Sequence, residues 1–179
     1  MRSNLVKSIL WPVFFLCFYG GQYFSDWWLL RVSGIRGGNF IDLGAVLRWS
    51  ECFHKVGPLV YRVDDKECGG YLYGSALLRA FNVLGINVTQ TKFWGITLGV
   101  IFCISLGLLA ALLDSQKAAS PFVIGLVLSS PPLWLLVERG NIDELIFLLA
   151  IASSFLLPKG FHLAAIVIIA ITALIKFYT

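Results

Sequence analysis

The sequence predicts an all-α integral membrane protein of about five transmembrane helices, with one large polar loop outside the bilayer. Three observations carry this expectation: scarce charge, abundant aromatic residues and apolar runs of membrane-crossing length. Of the 179 residues, 58% are apolar and only 13% are charged, against roughly 25% charged in a soluble domain. Mean hydropathy is +0.82. Fourteen Phe and six Trp fit a lipid-facing surface with interfacial aromatics. A crossing helix needs roughly 20 apolar residues, so residues 1–179 read as a single membrane domain.

The first span covers about residues 8–24, where Ile9, Leu10, Trp11, Val13, Phe14, Phe15, Leu16 and Phe18 are apolar around the whole helix. Arg2 and Lys7 precede it, as they would in a signal peptide. The run ends in Tyr19-Gly20-Gly21-Gln22 without a clear small-x-small cleavage site, which favours an uncleaved anchor. Four more spans follow, at about 93–113, 121–137, 145–157 and 161–177. Pro131-Pro132 must interrupt the third, because neither proline donates a helical hydrogen bond. The fourth is short and has Asn141 and Asp143 near its start.

Between the first two spans lies loop 25–92. Its basic residues are Arg31, Arg36, Arg48, Lys55, Arg62, Lys66, Arg79 and Lys92, and its acids are Asp26, Asp42, Glu51, Asp64, Asp65 and Glu67. Two stretches have helical periodicity. Ile41, Ala45, Val46, Trp49 and Phe53 mark the first, which Gly57-Pro58 breaks. Leu77, Leu78, Phe81 and Leu84 mark the second, which Gly85 ends. Both read as amphipathic helices that lie on the membrane surface or pack against the spans.

Orientation follows from the short connections. With the N-terminus cytoplasmic, Arg2, Lys7, Lys117 and Lys159 fall inside, against Asp114 alone. This is the positive-inside pattern. Loop 25–92, the turn Glu138–Glu144 and Lys176-Phe177-Tyr178 then meet on the outer face. A bacterial inner membrane is the expected location.

Other features are plainer. Cys17 and Cys103 lie in apolar runs and read as small core residues. Cys52 and Cys68 in the loop admit a bridge, although free thiols are the simpler reading. His54 and His162 are far apart, and no Cys/His spacing points to a metal or other cofactor. Asn87-Val88-Thr89 reads as a chance sequon. No basic run with interleaved aromatics suggests nucleic acid.

The residues that can carry chemistry collect on the outer side. Glu138-Arg139-Gly140-Asn141-Ile142-Asp143-Glu144 reads either as a hydrated turn before a helix, with Asn141 capping, or as the wall of a polar pocket. In the second case Arg139 offers a planar fork of donors to a phosphate. Lys176 either snorkels to headgroups or joins Arg139 in an anion site. Asp42 is either a helix N-terminal acid or a carboxylate suited to general-base work.

Asn39-Phe40-Ile41-Asp42-Leu43 through Gly57-Pro58-Leu59-Val60-Tyr61 resembles the first outer loop of polytopic membrane glycosyltransferases. In that class an Asp opens a helix and a Gly-x-x-x-Tyr element closes the stretch. The resemblance is closest to the bacterial polyprenol-phosphate-mannose-dependent mannosyltransferases of the GT-C class. Tyr71-Leu72-Tyr73-Gly74-Ser75-Ala76-Leu77-Leu78 is similar to the aromatic segment that follows, without its usual prolines. Arg139-Gly140-Asn141-Ile142-Asp143 resembles the turn before a helix, and Leu174-Ile175-Lys176-Phe177-Tyr178 resembles a Lys-x-Tyr-Pro element.

The resemblance implies that Asp42 is the general base, with Arg139 and Lys176 toward the donor phosphate. Asn141, Asp143, Tyr61 and Tyr73 would line the pocket. The donor would be a polyprenyl-phosphate sugar, with mannose the first expectation, and no cofactor is implied. The loop aromatics Trp49, Tyr61, Tyr71 and Tyr73 would stack on sugar or sit at the interface, the commoner use. Members of the class have many more spans, so the chain is expected to be an N-terminal part, with a second chain as one source of the missing spans. Two other readings remain open: a non-catalytic membrane subunit or assembly factor, and a small transporter. The near absence of ionisable residues within the spans disfavours transport.

Overall fold

The computed structural model describes residues 2–25, 40–61, 68, 71, 74–116 and 120–176. Among these the chain is helical throughout, with no strand. In order come α1 (Arg2–Ser25), α2 (Ile41–Val56), α3 (Ser75–Val83), α4 (Thr91–Ser115), α5 (Pro121–Leu128), α6 (Pro131–Arg139), α7 (Asp143–Leu156) and α8 (His162–Lys176). Short 3₁₀ turns lie at Gly57–Tyr61, Val88–Gln90 and Leu157–Lys159.

α4 is the axial element. With α5, α6 and α1 it encloses a core of Phe15, Tyr19, Phe102, Leu106, Ile124, Leu128, Trp134 and Val137. Its contact face is a row of small residues four apart: Gly95, Gly99, Cys103, Gly107 and Ala111 are all buried. Such a row lets two helix backbones approach closely. At Gly107 a Cβ would overlap the backbone of Pro12 on α1, and at Gly99 it would overlap the Tyr19 hydroxyl. Both helices therefore meet along glycine, a pattern the sequence contains and the span reading did not use.

The break expected at Pro131-Pro132 is present. α5 stops at Leu128, α6 starts at Pro131, and their axes bend by 42°. Pro131 occupies the first position of α6, where a missing N–H costs nothing. Among the described residues α4 is the one helix long and apolar enough by itself to cross a membrane; α5 and α6 together pass the same test as a broken span or a re-entrant loop. Val6–Gly21 and His162–Ile175 are shorter apolar helices. Their outer sides are bare of protein: Leu10, Phe14, Phe122, Leu126, Leu163 and Ile166 are 47% to 77% exposed.

α2 and α3 pack against the end of this bundle. Their core joins Val46, Leu77, Leu78 and Tyr71 to Ile142 at the start of α7 and Ile175 near the end of α8. Ser50 Oγ donates to the Leu78 carbonyl at 2.8 Å. Gly57, at φ 58°, closes α2, and Gly85, at φ 67°, follows α3. Both act as the sequence predicts, because the left-handed region suits glycine.

Two expectations need correction. Cys52 and Cys68 are joined in a disulfide, with Cα atoms 5.5 Å apart, and Tyr71 N, three residues beyond Cys68, donates to the Val60 carbonyl at 3.2 Å. Tyr71 is 1% exposed and packs on the partly buried Trp49, ring centroids 5.2 Å apart, so Tyr71 is interior rather than interfacial. The Asn87 side chain accepts from Thr89 N and caps the Val88–Gln90 turn.

Two outcomes follow for stability, read as thermal or denaturant unfolding in detergent. Gly107→Ala should destabilise by about 1–3 kcal/mol through overpacking, whereas Gly20→Ala, with open space around it, should not. Replacing Cys52 and Cys68 with Ser should cost about 3 kcal/mol, the loop-closure value for a separation of 16 residues.

Candidate functional site

The site is built where α2 begins. Phe40, just before the helix, holds φ at 63°, a rare conformation for a bulky residue. Three contacts fix it there. Its N–H donates to the Glu138 carbonyl at 2.9 Å, and its carbonyl accepts from Gly44 N at 2.9 Å. Its ring, 1% exposed, lies on Gly95 of α4, where a Cβ would overlap it. Gly140, at φ 61°, terminates α6 and turns the chain beneath Phe40 and Leu43.

This arrangement sets Asp42, in the first turn of α2, opposite the end of α6. Arg139 Nε donates to Asp42 Oδ2 at 2.8 Å and Nη2 to Oδ1 at 2.6 Å. Asn141 Nδ2 donates to Asp42 Oδ2 at 3.0 Å. Asn141 Oδ1 in turn accepts from Asp143 N at 2.9 Å, which satisfies one of the free N–H groups at the start of α7. Asn141 thus meets the start of α7 with its amide oxygen and the Asp42 carboxylate with its amide nitrogen. The Asp42 and Arg139 side chains are 21% and 38% exposed, so the cluster is open to solvent on one side.

Four of the expected residues therefore come together: Asp42, Arg139, Asn141 and, through its backbone, Asp143. Arg139 turns two N–H donors toward Asp42. Lys176 ends α8, one residue after Ile175, which packs in the same core as Ile142; its side chain lies outside the described residues. Tyr61 ends a 3₁₀ turn, and its side chain and the whole of Tyr73 also lie outside them. Among the described residues no group of three or more His, Cys, Asp and Glu is placed to hold a metal ion.

Glu144, expected as a hydrated acid at the start of a helix or in a polar pocket wall, turns inward instead. It is fully buried, and neither carboxylate oxygen has a hydrogen-bond partner. The signal was available: Phe147 and Leu148, at i+3 and i+4, pack against the main core, so the same helical face carries Glu144 inward. Phe40 carries no cue in its spacing for the conformation it adopts.

No family model, curated protein or solved structure matches this chain. The functional reading rests on the cluster itself.

A double-mutant cycle of Asp42→Asn and Arg139→Gln should give a coupling of about 1 kcal/mol in unfolding free energy, at the upper end for a solvent-accessible pair because the contact is bidentate.

Proposed function

We propose that this chain is a membrane glycosyltransferase of the GT-C type, or the N-terminal part of one, and that Asp42 is its general base. The observation that carries the reading is a solvent-accessible carboxylate held by Arg139 and Asn141 at one end of an apolar bundle.

The spacing of polar groups supports a bilayer setting. Lys7 Nζ pairs with Asp114 Oδ1 at 2.9 Å, and Trp11 Nε1 donates to Asp114 Oδ2 at 3.4 Å. The Asp42 cluster lies at the level of Gly95, where Phe40 meets α4. From Gly95 to Asp114 the helix rises ~28 Å, close to the ~30 Å hydrocarbon core of a bilayer. The two ion-paired ends thus bracket one apolar thickness. On this reading α1, α4, α5 with α6, α7 and α8 are the five crossings, and α2 and α3 lie outside with the disulfide, on the side where oxidising conditions preserve it.

The reaction would run between a polyprenyl-phosphate sugar and an acceptor hydroxyl. Asp42 removes the hydroxyl proton as that oxygen bonds to the anomeric carbon. The bond from carbon to phosphate oxygen breaks, and its electron pair leaves with the polyprenyl phosphate. The proton stays on Asp42 until solvent takes it. Attack opposite the leaving phosphate inverts the anomeric centre. Lys176, at the same end of the bundle, is the cation proposed for the donor phosphate.

The alternative is a non-catalytic membrane subunit, in which the bidentate Asp42–Arg139 contact serves only to tie α2 to the end of α6.

Sugar transfer in proteoliposomes from a panel of radiolabelled polyprenyl-phosphate sugars decides between them. The wild type should transfer, and Asp42→Asn should lose at least ~10²-fold in rate, the lower range for a general base. Transfer unchanged in Asp42→Asn would sink the assignment. A folded wild type that uses no donor would favour the subunit.

A further inference from the structure

An ionised carboxylate has about four lone-pair sites, two on each oxygen, so the bonds to Asp42 can be counted against its capacity. Arg139 Nε and Asn141 Nδ2 both reach Oδ2, at 2.8 Å and 3.0 Å, whereas Arg139 Nη2 alone reaches Oδ1. Oδ2 is filled. Oδ1 has one site left, and the side chain is open to solvent.

The donors are themselves fixed. Arg139 is the last residue of α6, and the Glu138 carbonyl before it holds Phe40 N. Asn141 is tied to the start of α7 through Asp143 N. Asp42 stands two residues after Phe40, whose ring is locked over Gly95. Carboxylate, guanidinium and amide are therefore placed by one backbone junction. A planar fork bonded to both carboxylate oxygens fixes the rotation of the carboxylate plane as well as its position.

We infer that Arg139 and Asn141 are positioning residues that aim the Asp42 carboxylate and leave a single Oδ1 lone pair for the acceptor hydroxyl. This rests on the proposal that Asp42 is the general base. It moves Arg139 away from the donor phosphate and leaves that contact to other groups. Arginine's fork serves this purpose where lysine's point charge does not, so charge-preserving substitution separates the two roles.

The test uses the full chain in lipid nanodiscs with whichever polyprenyl-phosphate sugar of the panel the wild type binds. Donor affinity and turnover are measured for wild type, Arg139→Lys and Asn141→Ala, with melting temperature as a check on folding. A positioning role predicts donor Kd and KM within about twofold of wild type and kcat reduced about 10²-fold in Arg139→Lys, the scale of a misplaced reacting group. Asn141→Ala should lower kcat in the same direction by a smaller factor, again with KM unchanged. A donor Kd weakened about tenfold in Arg139→Lys, with kcat retained, would make Arg139 a phosphate ligand and overturn the inference while leaving the transferase reading intact. Should Arg139→Lys fail to fold, Asn141→Ala decides alone by the same split. A wild type that binds donor without transferring sugar, or binds none, would overturn the general-base reading and this inference with it.

Discussion

The junction at Phe40 is the constraint on which the rest of the molecule depends. A phenylalanine at φ 63° is unfavourable by itself, because its Cβ crowds the backbone. It persists because its N–H, its carbonyl and its ring are each engaged by a different partner: Glu138, Gly44 and Gly95. These contacts tie α2 to the end of α6 and the start of α4. Backbone strain of this kind survives where the surroundings over-determine it, and it collects near functional sites. Here the strained residue stands two positions before the carboxylate that the cluster is built around.

Glycine makes the junction feasible from the other side. Gly95 offers a flat surface to the Phe40 ring, and Gly140 offers a turn that places its Cα under Phe40 and Leu43. The same logic extends along α4, where Gly99 accommodates Tyr19 and Gly107 accommodates Pro12. Close backbone approach along such a row lets dispersion carry much of the packing between helices. A helix with a small residue every fourth position is suited to that role. The bundle and the Asp42 cluster at its end are thus linked through one face of one helix.

The polar residues show a matching economy. Lys7 and Asp114 neutralise each other at one end, and Arg139 and Asp42 do so at the other. A partly exposed pair adds little stability. Its larger effect is geometric, since a bidentate contact fixes orientation. Glu144 stands apart as a fully buried carboxyl, neither of whose oxygens has a hydrogen bond among the described residues.

Much of this protein was legible in its residues. Composition and apolar runs located α1, α4, α7 and α8, because a helix apolar on all sides leaves a signal that needs no tertiary context. Pro131-Pro132 marked the break between α5 and α6, and Gly57 and Gly85 marked the ends of α2 and α3, because these residues act through their own backbones. Asp42, Arg139 and Asn141 could be named as candidates by residue type and position. Their partnership could not, since it joins residues 97 and 99 positions apart. The disulfide, the burial of Tyr71 on Trp49 and the inward turn of Glu144 likewise depend on which surfaces the fold brings together. The sequence alone determined where the helices are and where they stop, by local backbone chemistry. Only the tertiary structure decided what Asp42 faces, because that depends on a phenylalanine finding a glycine on another helix.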